Sequence, residues 1–216
     1  SVLRKQGLHD RAMAKYEEAH EMCRRLHGDD HESVAEVLGN MALVLKAQGK
    51  RAEAMAMEEK ALDIKRRALG PDDDAVASSL LNLGSSYKEQ GMFAEALARY
   101  EEGLGIVRRN HPERNVLEGR LLQRIGDVYF EQGKLEDALG MHKKAHRIFL
   151  KTLGPETPQA ANALLGIGRV LSAQGKHEEA IETLEEALAV RRRVQGSEHE
   201  DVADTLVRLG ICKERE

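Results

Sequence analysis

Apolar residues fall along the chain in stripes of helical spacing, and the stripes recur every 42 residues. Leu38, Leu80, Leu122, Leu164 and Leu206 stand one period apart. Three residues on from each comes Met41, Leu83, Ile125, Ile167 or Leu209, and then a small residue, Ala42, Gly84, Gly126, Gly168 or Gly210. Steps of three and four residues mark one face of an α-helix. Seven residues after the first four small positions, the dipeptide Gln-Gly places Gly49, Gly91, Gly133 and Gly175, and the same dipeptide occurs at Gly7. Beyond these glycines stand Ala12, Ala54, Ala96, Ala138 and Ala180 at +5, and Ala19, Ala61, Gly103, Ala145 and Ala187 at +12.

This register predicts two helices per repeat. Helix A ends at Gln-Gly, where glycine permits the positive φ that stops a helix. Helix B starts within a few residues and runs to a second break at Gly28, Gly70, Gly154 or Gly196, written as Asn110-His111-Pro112 in one repeat. Turns this short make the two helices antiparallel. Small positions let the backbones approach and large ones fill the space between layers. The expected fold is an all-α solenoid in one domain over 1–216, with a partial repeat at 1–34 ending in helix B. Full repeats follow at 35–76, 77–118, 119–160 and 161–202, and 203–216 is a further helix A. Both ends fall inside a repeat, so the expectation is a piece of a longer chain whose truncated ends, with Leu206 and Leu209 uncovered on one side, self-associate head to tail.

The breaks between repeats are acidic, as in Gly28-Asp29-Asp30-His31, Gly70-Pro71-Asp72-Asp73-Asp74 and Gly196-Ser197-Glu198-His199. A calcium loop would need the EF-hand spacing and its bidentate Glu, which are missing. Carboxylates capping the next helix are the simpler reading.

Composition agrees. The apolar 41% is mostly Leu and Ala, aromatics are 3% and Trp is absent, which argues against an all-β fold. Net charge of −4 offers no basic field to nucleic acid. No apolar run reaches membrane-spanning length, and Cys23 and Cys212 form no disulfide framework or metal clip. A reducing, cytoplasmic setting is expected.

Enzymatic chemistry finds no constellation. The Gly-Lys pairs at Gly49, Gly133 and Gly175 lack the rest of a phosphate loop. Gly166-Ile167-Gly168 sits within a helix A and serves packing. His27/His31 and His142/His146 have i,i+4 spacing, but a zinc site needs three or four ligands. No nucleophile, base and orienter can be assembled, so neither catalysis, metal nor cofactor is expected.

Leu or Tyr at −4 (Leu45, Tyr87, Tyr129, Leu171), together with the Leu, small and Ala positions above, resembles the tetratricopeptide repeat. The 42-residue period and joints such as Leu26-His27-Gly28-Asp29-Asp30-His31-Glu32-Ser33-Val34-Ala35 are similar to kinesin light chain and nephrocystin-type repeats. The resemblance implies a right-handed α-solenoid whose helix A lines a concave, peptide-binding groove. Groove positions then include Asn40, Asn82, Arg124, Gly166 and Arg208 at −9, and Arg120 and Asn162 at −13. Ser85 and Arg169 stand at −6. Asn82 followed by Arg120 and Arg124 resembles half of a carboxylate clamp, its other half being replaced by Gly39 and Leu43. Asn offers a peptide backbone both donor and acceptor, and Arg grips a carboxylate in bidentate fashion. The expectation is a non-catalytic module binding a peptide segment, acidic in character. The alternatives are a structural spacer or oligomerisation scaffold, and a sensor array attached to a catalytic domain elsewhere in the chain.

Overall fold

A computed structural model describes residues 2–215, with side chains from Gly7 onward. Among the described residues the regular structure is all helical. Helices α1 (Val2–His27), α3 (Arg51–Leu69), α5 (Phe93–Asn110), α7 (Leu135–Thr152) and α9 (His177–Gln195) are the B helices. The A helices are α2 (Glu32–Ala47), α4 (Asp74–Glu89), α6 (Val116–Glu131), α8 (Pro158–Ala173) and α10 (Glu200–Lys213). The chain divides into two compact units, Ser1–Ile106 and Val107–Glu216, each with its own core. Within each unit consecutive antiparallel helices pack in solenoid fashion.

Four Gln-Gly turns behave as the register requires. Gly49, Gly91, Gly133 and Gly175 have φ of 79°, 75°, 73° and 77°. In each, the N–H following the glycine donates to the carbonyl of Leu45, Tyr87, Tyr129 or Leu171 at 2.9–3.0 Å. That 6→1 bond closes a Schellman motif, so the −4 position carries the carbonyl that ends its own helix. Gly7 departs from the expectation: Val2–His27 is one uninterrupted helix and Gly7 has no positive φ.

The capping expectation is also corrected. Of the acidic residues in the joints, Asp73 accepts from the Ala75 N–H at 2.7 Å. Elsewhere the caps are His31, Asn115, Thr157 and His199, each accepting a first-turn N–H through its side chain. Asp29 pairs instead with Arg24, and Asp30 with Arg67 at 2.8 Å.

The core follows the predicted stripes. Leu38, Leu80, Leu122 and Leu164 are buried, as are Ala54, Ala96, Ala138 and Ala180. A position the sequence pattern conceals completes the packing: the residue at +9 on helix B enters over the small residue at −7 on helix A. A Cβ on Gly84 would lie 2.5 Å from the Tyr100 ring, one on Gly126 3.1 Å from the His142 ring, and one on Gly168 2.6 Å from Leu184 Cγ. The +9 residues are Tyr16, Glu58, Tyr100, His142 and Leu184, so no single chemical type marks the position.

Two substitutions at equivalent positions separate packing from helix propensity. Gly168→Ala is expected to cost about 1–3 kcal/mol by overpacking Leu184. Gly210→Ala, with nothing within 4 Å of its Cβ, should be neutral or stabilise by up to about 1 kcal/mol. Leu164→Ala should cost about 2–5 kcal/mol through the cavity it leaves. Urea titration of the three variants checks the register, and equal midpoints for both glycine variants would refute it.

Candidate functional site

In the second unit, residues one helical turn apart on α6 and α8 face each other across a cavity of about 540 Å³. α6 contributes Val116, Arg120, Gln123, Arg124 and Asp127; α8 contributes Gln159, Asn162, Leu165, Gly166 and Arg169. Both sets follow i,i+3,i+4,i+7 spacing, so each helix presents one stripe. Arg120, Arg124, Asn162 and Arg169 from the sequence reading therefore lie around one space.

The three arginines differ in their restraint. Arg120 is exposed and has no ion-pair partner among the described residues. Arg124 shares Asp127 at 3.3 Å. Glu118, the other acid near the arginines in sequence, is held by Arg108 at 2.9 Å. Arg169 lies over the Phe130 ring, its guanidinium carbon 4.6 Å from the centroid, which fixes the guanidinium plane without neutralising it. One carboxylate among three guanidiniums leaves the cavity electropositive.

Asn162 is positioned by a group the sequence reading did not single out. Its Oδ1 accepts from Arg191 at 2.6 Å, leaving the Nδ2 donors for a ligand. Arg191 is 3% exposed and also donates to the Asp201 carbonyl and Thr205 Oγ1, both at 2.6 Å. Burial pushes its pKa below the ordinary arginine value, while Asp201 and Asp204 oppose that shift. Its neutral acceptors spread the charge without cancelling it, so it adds to the positive potential behind the cavity. Arg191 occupies the register position of Cys23, Lys65, Val107 and Phe149, so the pattern there mixes cations with core residues and did not single it out.

Gly166 lines the cavity with backbone alone, since a Cβ there would meet His142 Nδ1 at 2.5 Å. His142 is buried between Gly126 and Gly166, its Nδ1 without a partner and its Nε2 3.8 Å from Asp127 Oδ1. Burial holds its pKa below the usual histidine value, against the pull of Asp127; Arg169 lowers it further. Arg208 lies in an adjoining cavity of about 210 Å³ with Phe130, Arg169 and Arg215, and it pairs with Asp204 at 3.1 Å.

The first unit carries a cavity of about 370 Å³ at the equivalent place between α2 and α4. Asn40 and Asn82 both line it, together with Glu36, Leu43, Glu58 and Lys65. Glu58 is buried, bound to Lys46 at 2.6 Å and to Ser86 Oγ at 2.5 Å. Ser85 does not line it: its hydroxyl donates to the Leu81 carbonyl and accepts from Tyr100. Asn82 and the Arg120–Arg124 pair belong to different units, and the amide beside the arginines within their own unit is Asn162.

A pH dependence follows. A histidine whose folded pKa is depressed stabilises the fold above its unfolded pKa, and that stability is lost as pH falls. Acidification below about pH 6.5 should destabilise the second unit. His142→Leu, which copies Leu184 over Gly168, should flatten the slope of stability against pH between 7.5 and 5. An unchanged slope would show that His142 is not buried neutral.

The description "Tetratricopeptide repeat" belongs to a family model that matches residues 1–67, 59–109, 118–193 and 170–216. No curated protein matches. Among solved structures, the crystal structure of BtubC (BKLC) from P. vanneervenii aligns at 20% identity, TM-score 0.84, over 96% of this chain and 84% of that one. A Podosopora anserina putative kinesin light chain with nearly identical TPR-like repeats aligns at 21% identity, TM-score 0.69, over 88% and 90%. The apo form of RapI aligns at 16% identity, TM-score 0.77, over 93% and 69%. With paired helices, Schellman turns and a family match over most of its length, the chain belongs to the tetratricopeptide repeat family.

Proposed function

We propose that this tetratricopeptide module binds an acidic peptide segment of a partner protein in the α6–α8 cavity. The observation that carries the reading is the clustering of Arg120, Arg124 and Arg169 around one space that holds a single carboxylate, Asp127. Arg120 is the free guanidinium for a ligand carboxylate. Arg124, already sharing Asp127, can exchange one acceptor for another at low cost. Asn162 Nδ2 donates to a peptide carbonyl while Arg191 holds its other end. Leu165 and Val116 provide an apolar wall, suited to an aliphatic or aromatic side chain beside the acidic ones.

The cavity of the first unit supplies a second peptide contact of different character. Asn40 and Asn82 occupy the same register position and have no side-chain partners among the described residues, so each can hold a backbone amide in both directions. Around them Glu36 and Lys65 carry opposite charge, so this part recognises backbone more than side-chain charge. Neither cavity brings together a nucleophile, base and orienter, which favours binding without catalysis.

The test is titration of fluorescent acidic, neutral and basic peptides against the wild type and Arg120→Glu/Arg124→Glu. Binding of the acidic set is expected at modest affinity, weakening with salt as exposed charges are screened. The double reversal should abolish it while stability stays within about 0.5 kcal/mol. Equal binding by wild type and variant would move the site off α6 and favour the spacer reading.

A further inference from the structure

The α6–α8 cavity has an ionisable floor. His142 stands at +9 of its helix B, the position from which Glu58 lines the equivalent cavity of the first unit. The ring is 2% exposed and held between Gly126 and Gly166. Gly166 lines the cavity and carries no side chain to screen the ring from it. Only backbone therefore separates the imidazole from the space that a ligand charge would occupy. Packing alone does not call for histidine there, because Leu184 fills the same position over Gly168. A buried nitrogen without a partner is also costly, and His142 Nδ1 is one.

The other nitrogen leads into the cavity. Nε2 lies 3.8 Å from Asp127 Oδ1, while Asp127 Oδ2 accepts from Arg124 at 3.3 Å. The first distance is too long for a hydrogen bond from the neutral ring, yet within ion-pair reach of a protonated one. Asp127 and Arg124 both line the cavity. Burial is the main force against protonation of His142; Asp127 of α6 favours it and Arg169 of α8 opposes it. On α7 itself His146, one turn on, interacts with Glu186 of α9. One carboxylate is thus shared between a buried imidazole and a groove guanidinium. A ligand carboxylate that pairs with Arg124 releases Asp127 towards His142 and offsets the charge of Arg169. Both changes favour the imidazolium.

Resting on the reading of this cavity as a site for acidic peptide, we propose that His142 takes up a proton as an acidic segment enters, so that mild acid tightens binding. The sign follows from linkage. A bound anion raises the proton affinity of His142, and by reciprocity the protonated chain holds the anion more firmly. Affinity rises as pH falls through the range in which the complex is protonated and the free chain is not. It levels off once both are protonated.

Calorimetric titration with a blocked hexa-aspartate peptide, in buffers of different ionisation enthalpy, tests this. Its carboxylates stay ionised between about pH 7.5 and about pH 5.5, and it has no other group that titrates there. The wild type should take up to about one proton per bound peptide and bind several-fold more tightly at the acid end. The ring Cε1 proton of His142, followed by NMR, should titrate at higher pH with peptide than without. His142→Leu should lose the uptake and flatten the pH dependence. Asp127→Asn cuts the same link at the cavity wall without touching the core. It should bind more tightly than the wild type at pH 7.5 and take up less proton. Binding without proton uptake across the range, or uptake undiminished in both variants, would overturn the linkage and leave the peptide site standing. Failure of the peptide to bind at any pH would instead overturn the site, and the linkage with it.

Discussion

The contact on which the structure depends is a large side chain on helix B entering over a missing or minimal side chain on helix A. Gly84 and Tyr100, Gly126 and His142, and Gly168 and Leu184 repeat it. Close approach of the backbones at these points leaves little freedom in the phase of either helix, because a rotation would drive a Cβ into a ring or a leucine. Fixed phase has a functional result. Once the −11, −8 and −7 positions of helix A are committed to packing, the −13, −9 and −6 positions share another face. Arg120, Arg124 and Asp127 on α6, and Asn162, Gly166 and Arg169 on α8, are those positions. The glycines thereby aim the arginines without touching a ligand.

Elements whose causes are local were legible in the sequence. A Gln-Gly turn needs only a residue that accepts positive φ and a preceding carbonyl to receive the 6→1 bond, and both lie within six residues. The exception is Gly7, where the same dipeptide stands within the unbroken helix α1. Caps were partly legible. An acidic joint suggested carboxylate caps, yet the cap falls at one register position, held by His31 and His199 where Asp73 stands in another joint, while Asp29 and Asp30 pair with arginines.

The site was legible as a face and not as a set of bonds. Periodicity selected Arg120, Arg124, Asn162 and Arg169, which line one cavity, and Asn40 and Asn82, which line another. It could not tell that Ser85 is half-buried with its hydroxyl between Leu81 and Tyr100. Nor could it tell that Asn162 is held from behind by Arg191, since the two residues sit on adjacent helices with no pattern linking them. A hydroxyl or amide at a groove position is a candidate donor until its second partner is known, and that partner comes from packing.

The two cavities show how one scaffold can carry different recognition in equivalent places. Beneath the arginine cavity, the +9 residue is the neutral, buried His142; beneath the asparagine cavity it is Glu58, neutralised by Lys46. A buried carboxylate needs a charged partner and hydrogen bonds, and Lys46 with Ser86 supplies both to Glu58. The first unit's groove is therefore left with amides and mixed charge. The second unit has no acid at +9, so its guanidiniums meet only Asp127, and Arg191 behind them bonds to neutral acceptors. On the proposed reading, selectivity for acidic ligands would originate as much in which buried residues lack a negative charge as in which exposed residues carry a positive one.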